Sequence, residues 1–184
     1  MRCLEPEDSK IFFDNWLRLL AFVNDKYNLV KDFGHPESPV DIKPEIIIKI
    51  KTKLWEDVNL IDEYIDSSPK LSKNNTQIIK NWKNNISGHF LIIRQLKKHS
   101  VFMHNEKTLY GVLGISNPIS DIFPKETLPS MVQTVLLPFK GVIIYDSIFL
   151  HNRVTFGPNM RRSFNETYSE LKREKGIVTE FTIL

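Results

Sequence analysis

The chain has 184 residues, 41% of them hydrophobic with 12 Phe, which is enough for a sizeable core, supports a globular fold and argues against disorder. Its single cysteine, Cys3, excludes an intramolecular disulfide and a cysteine-built zinc site. The net charge of +3 conceals an asymmetry: residues 1–70 carry 10 Lys and Arg against 14 Asp and Glu, and residues 71–184 carry 15 against 8.

No apolar run reaches transmembrane length, and the opening MRCLEPEDSK is too acidic and polar for a signal peptide. A reducing cytoplasm and no membrane partner are the expectation. Residues 9–28 place Ile11, Phe12, Trp16, Leu19, Leu20 and Val23 at helical spacing, with Asp8 or Ser9 as N-cap. Residues 28–41, with Gly34, Pro36 and Pro39, read as a loop. Pro44 opens a second helix, whose Ile47, Ile50 and Leu54 share a face. Asn59 is the expected cap of a third, carrying Leu60, Ile61, Tyr64 and Ile65, and Ser67-Ser68-Pro69 ends it. Ser72 caps a fourth, with Ile78, Ile79 and Trp82 inward, ending near Ser87-Gly88.

From His89 the period changes to that of strands: Phe90 to Ile93, Val101 to Met103 and Leu109 to Leu113, the last two separated by a turn at 104–107. Residues 115–130 hold three prolines and should be an irregular excursion with one helical turn before Val132 to Leu137. In LLPFKGVIIYDSIFLHNRVTF (136–156), Pro138 suits a strand end or edge and Lys140-Gly141 a turn. Val142 to Tyr145 read as a strand covered on both faces, Asp146-Ser147 as the next turn, and His151-Asn152 as a bulge before Val154 to Phe156. An antiparallel hairpin is the simplest arrangement. A last helix over 159–175 puts Met160, Phe164, Tyr168 and Leu171 on one face, with Gly176 as its cap and Ile177 to Phe181 as a short edge strand. The prediction is an α+β protein: a helical region 1–87 and an antiparallel sheet or small barrel with a C-terminal helix over 88–184, packed together.

His89-Phe90, Leu109-Tyr110-Gly111-Val112, Leu136-Leu137-Pro138-Phe139-Lys140, Ile143-Ile144-Tyr145-Asp146, Phe156-Gly157, and Tyr168 with Lys172 ahead of Gly176-Ile177 form a running pattern. Together with Leu71-Ser72 and Trp82, it resembles an uncharacterised bacterial protein family and covers the last two thirds of the chain. The resemblance implies a shared fold and no assigned activity. Ser147 stands where the pattern expects glycine, and Pro158-Asn159 replaces a glycine-containing pair.

Chemistry-bearing residues are sparse. The histidines, His35, His89, His99, His104 and His151, show no metal-ligand spacing, and no nucleophile elbow, Walker or dinucleotide fingerprint occurs, so neither metal nor cofactor is expected. His104 and His151 precede asparagine in predicted turns and could meet Tyr145 and Asp146 at one end of the sheet. Asp146 has the simpler role of accepting turn N–H groups. Between Leu71 and Gly114 there are seven bases and one acid; Lys80, Lys83, Lys97 and Lys98 could form an anion or nucleic-acid surface, or simply a solvated face. Arg161 and Arg162 fall in a helix's first turn, where the dipole disfavours cations, which points to a bound anion or another compensating group.

Three functions follow. A non-enzymatic interaction or regulatory module with a protein partner comes first, resting on the lack of catalytic signals. Nucleic-acid binding through residues 73–107 comes second. Third is a hydrolase-type enzyme using Asp146 and His151, which requires those side chains to converge in a pocket. Oligomeric state is not encoded in these patterns.

Overall fold

The computed structural model describes residues 2–31, 33, 43–68, 70–152 and 154–181. Most of the loop expected over 28–41, with His35, lies outside them. The protein is α+β and divides into two compact units, Glu7–Lys83 and Met1–Pro6 with Asn84–Leu184. Among the described residues no helix is long and apolar enough to cross a membrane.

The first unit is helical: α1 (Pro6–Tyr27), α2 (Pro44–Glu56), α3 (Leu60–Ser67) and α4 (Lys73–Asn81). Phe12, Trp16, Leu19, Leu20 and Val23, at three- and four-residue spacing, form the buried stripe of α1. It is buried with Ile50 and Leu54 of α2, Leu60 and Ile61 of α3, and Ile79 and Trp82 at the end of α4. Helix α1 begins three residues earlier than its periodicity implies, because Pro6 has no N–H to lose and Glu7 and Asp8 complement the dipole. Ser72 caps α4 as expected, its hydroxyl accepting the Asn75 N–H. Asn59 caps nothing: it is already helical in φ and ψ, and Asp57 Oδ1 accepts its N–H instead. Helix α4 stops at Asn81, short of the expected Ser87-Gly88, because the next strand starts at Ile86.

The second unit is built on β1 (Ile86–Gln95), β2 (Ser100–His104), β3 (Thr108–Val112), β4 (Ser130–Phe139), β5 (Val142–Tyr145) and β6 (Leu150–Asn152), followed by α6 (Pro158–Glu174). The β3–β4 connection contains the helical turn α5 (Ile119–Ile122) and a 3-10 turn at Lys125–Thr127. β1 is long enough to pair with β2 from Phe90 to Gln95 and with β4 from Ile86 to Ile92, with a register shift between Ile92 and Arg94. β2 pairs with β3, β3 lies parallel to β5, and β5 pairs with β4, so five strands close on themselves. The order β1-β2-β3-β5-β4, with β3 parallel to β5, is the connectivity of an OB-type barrel.

The hairpin expected within 142–156 does not form. β5 pairs with Leu136–Phe139 and β6 with Met131–Gln133, while β1 occupies the other side of β4. β5 and β6 therefore run along the same side of β4, as one strand interrupted at 146–149. What reads as a turn at Asp146-Ser147 is this break, with Ser147 at φ 73° in the place of the expected glycine. Residues 154–156 belong to no strand. The hairpin is instead β4–β5, closed by Lys140 and Gly141 at φ 46° and 79°, a two-residue turn whose twist matches its strands. Pro138 lies beyond the reach of β1, where no N–H is needed.

Both faces of the barrel wall are covered. Phe90, Phe102 and Tyr110 approach one another inside, with centroids 6.1 and 6.4 Å from that of Phe90. Leu91, Ile93, Val101, Met103 and Leu109 point outward and pack with Phe156, Tyr168 and Leu171. Helix α6 thus lies over β1, β2 and β3, with Phe164 and Ile177 at the margin. Met160, expected on the buried face, is half exposed. Gly176, at φ 74°, ends α6, and the tail then makes a single bridge, Val178 to Tyr110, rather than an edge strand. It bonds β3 where β5 does not reach: Gly111 N–H donates to Val178 O and Val178 N–H to Leu109 O.

Candidate functional site

The β1–β2 loop is four residues, Leu96 to His99, closed by the Leu96 N–H on His99 O. Lys97 and Lys98 are exposed there. His99 packs over Gly111 of β3, on the face that Leu109 shares, where a Cβ would stand 2.8 Å from His99 Cδ2. Beside it opens a cavity of about 600 Å³ lined by Lys98, His99, Gly111, Leu113, Val142 and Thr179. Val142 follows the Lys140-Gly141 turn, and Glu180 Oε1 lies 3.5 Å from the position of a Gly141 Cβ. The loop and the turn, 40 residues apart in sequence, meet at one end of the barrel.

His99 Nε2 is buried without a hydrogen-bond partner among the described residues. Burial, then the neighbouring Lys98 charge, holds its pKa below that of a free imidazole. The neutral ring lies on the cavity wall with Lys98, Leu113 and Val142. Two features of the sequence point to this site: the adjacent bases Lys97 and Lys98, and a glycine inside a strand, which signals close approach. Neither His99 nor Gly111 is singled out by spacing alone.

The other candidates are placed differently. Lys80 and Lys83 belong to the helical unit, where Lys83 pairs with Asp62. Arg94 bonds Asn165 and lies over the Tyr168 ring, joining β1 to α6. Arg161 donates from Nε to Phe156 O and from Nη1 to Leu128 O at 3.0 and 3.1 Å. The cation at the start of α6 is thus compensated by backbone carbonyls. Arg162 lies on the exposed flank of the same helix.

His104, Tyr145 and His151 each make ring contacts, and Asp146 is held by a hydrogen bond to its neighbouring strand. His104 stacks on Phe90 inside the barrel at 4.7 Å, and burial lowers its pKa. Tyr145 stacks on Phe149 at 4.0 Å; Phe149 meets Phe123, and Phe123 meets the exposed His151 at 5.3 Å. Asp146 is fully buried and accepts the Thr134 hydroxyl at 3.0 Å, tying the strand break to β4. This bond to the neighbouring strand gives Asp146 a structural role. Among the described residues no three of His, Cys, Asp and Glu gather into a metal-sized group.

Burial, reinforced by Asp146, pushes the Tyr145 phenol up to about 12. Between its ordinary value of 10 and about 12 the unfolded chain ionises while the folded chain keeps its proton, so stability falls as pH rises through that window. The loss should reach about 2–3 kcal/mol. Alkaline urea titrations of the wild type and Tyr145→Phe should show the variant losing less over this range. Tyr64 and Tyr110, also raised by burial, stay common to both.

A scan of family models finds no match to the chain, and neither the curated proteins nor the solved structures contain one.

Proposed function

We propose that the protein is a non-enzymatic binding module whose barrel takes single-stranded nucleic acid at the end built from the β1–β2 loop and the β4–β5 turn. The observation that carries this reading is the meeting of Lys98 and His99 of the β1–β2 loop with Val142, the residue after the Lys140-Gly141 turn, on the wall of one cavity. Barrels of this connectivity bind through the β2–β3 face and these two loops. Here α6 covers that face, which leaves the loops as the accessible part. Two exposed lysines supply phosphate contacts, and the face of a neutral imidazole can stack against a base. The unit carries 13 Lys and Arg against 9 Asp and Glu. Glu180, beside Gly141, is the acidic group in the way.

Fluorescence polarisation with labelled single-stranded DNA and RNA, duplex DNA as comparison, and several salt concentrations tests the reading. Single strands should bind more tightly than duplex, with affinity falling steeply as salt rises. The double charge reversal Lys97→Glu, Lys98→Glu should flatten the log–log salt slope by about 1.4, at roughly 0.7 per lost phosphate contact. Glu180→Gln should tighten binding. No binding at low salt, or binding indifferent to the double reversal, would overturn the reading.

A further inference from the structure

Beyond Gly176, which ends α6 at φ 74°, the chain lies along β3. Its attachments there are few. Val178 makes one bridge to Tyr110, in which the Gly111 N–H donates to Val178 O at 2.8 Å and the Val178 N–H to Leu109 O at 2.9 Å. Ile177 packs at the margin of the outer cluster, and Phe181 meets the Tyr110 ring edge-on at 5.9 Å. Helix α6, by contrast, buries Tyr168 and Leu171 in that cluster. A terminal segment held by one bridge and two half-buried side chains belongs to the low end of local opening free energies, so residues 177–181 can leave β3 while α6 stays.

The same segment lies where the nucleic acid is placed. Thr179 lines the cavity with Lys98, His99 and Val142. Glu180 Oε1 stands 3.5 Å from the position of a Gly141 Cβ, at the β4–β5 turn. A strand running from the β1–β2 loop to that turn passes over Thr179 and brings a phosphate beside the Glu180 carboxylate. Two like charges there are closer than the screening length of roughly 8 Å in physiological salt, so the seated tail and the bound strand oppose each other. By linkage the opposition is mutual: whatever unseats the tail favours the strand, and the strand loosens the tail.

We propose that residues 177–181 are a displaceable strap that regulates the barrel site: seated on β3, they hold Glu180 against the β4–β5 turn, and single-stranded nucleic acid binds with the strap released. This role rests on the nucleic-acid reading of the barrel.

Two measurements on the full chain test it. Hydrogen exchange at the Gly111 and Val178 amides, the two donors of the bridge, should accelerate when the protein is saturated with oligothymidylate. A Glu180 side chain that merely swung aside would leave both rates unchanged. The second measurement is oligothymidylate affinity in two variants that spare the lysines. Val178→Pro removes the N–H that Leu109 O accepts and should tighten binding about tenfold, since the strand no longer has to break the bridge. Phe181→Ala, which leaves the backbone bonds in place, should act in the same direction more weakly. In the Val178→Pro chain, Glu180→Gln should tighten binding less than it does in the wild type, because the carboxylate is no longer held at the turn. Binding with unchanged affinity in both variants, or with exchange at both amides unchanged or slowed, would overturn the strap alone. Absence of binding in the wild type and both variants would overturn the barrel reading and the strap with it.

Discussion

Trp16→Ala should destabilise the helical unit by about 3–5 kcal/mol, the largest loss expected from a single truncation in it. Trp16 is 1% exposed and lies among three other rings: stacked on Phe12 at 6.0 Å and on Trp55 at 5.8 Å, and edge-on to Trp82 at 5.9 Å. Those partners come from α1, from α2 and from the residue after α4, so one indole ties together three of the four helices. Truncation leaves a cavity that rigid helix backbones cannot close, and each aromatic pair adds about 0.5–1.5 kcal/mol beyond buried area. Urea unfolding followed by far-ultraviolet circular dichroism is the suitable measurement, because the substitution itself alters tryptophan fluorescence. The midpoint should fall with little change in slope. Ile122→Ala, at an apolar side chain that is 51% exposed in the barrel unit, should stay within about 0.5 kcal/mol. A Trp16→Ala loss equally small would mean that the four-ring cluster is not packed as described.

The indole cluster also shows which parts of the fold are legible locally. Phe12, Trp16, Leu19, Leu20 and Val23 announce α1 and its inward face, because on a half-buried helix burial and spacing carry the same information. The Ser72 cap is legible for the same reason: its hydroxyl bonds three residues away. The barrel is not. Residues 90–93 and 101–103 are buried on both faces, one by the barrel interior and one by α6, so their apolar runs identify strands without saying which side faces what. Closure depends on the β1–β4 and β3–β5 pairings, which join distant segments and leave no periodic trace. The false hairpin at 142–156 has the same origin: two short apolar runs separated by Asp-Ser look like strand, turn, strand. The actual partner of both is β4, and the buried Asp146 bonded to Thr134 fixes the break between them. At the candidate site, Lys97 and Lys98 are visible as adjacent bases. Gly111, Val142 and Thr179, which complete the cavity with His99, are contributed by three separate elements.

Gly114→Ala should cost about 3 kcal/mol, the upper end of what overpacking usually costs, although it adds one methyl group. A Cβ there would stand 1.9 Å from Asn117 O and 2.9 Å from Asn117 C. Both are backbone atoms, so no rotamer change relieves the clash. Either Gly114 retreats or the Asn117-Pro118 segment does. The first breaks the isolated bridge between Cys3 and Gly114 that holds residues 2–4, Gly114 N–H to Arg2 O and Leu4 N–H to Gly114 O, at 2.9 and 3.0 Å. The second shifts the fully buried Ile119 and the turn that carries Phe123. Thermal unfolding should show the loss, and hydrogen exchange at the Leu4 amide should distinguish the two routes, accelerating only in the first. Two other glycines calibrate the result. Gly157→Ala meets nothing within 4 Å and should cost only the exchange of glycine for the poorer N-cap alanine, about 1 kcal/mol. Gly111→Ala falls between them, since its clash is with the His99 ring, a side chain that can move. That movement would displace the imidazole from between Lys98 and the β4–β5 turn. Gly111→Ala should therefore weaken nucleic-acid binding by more than its modest stability cost explains, and removing the ring with His99→Ala should recover the stability but not the binding.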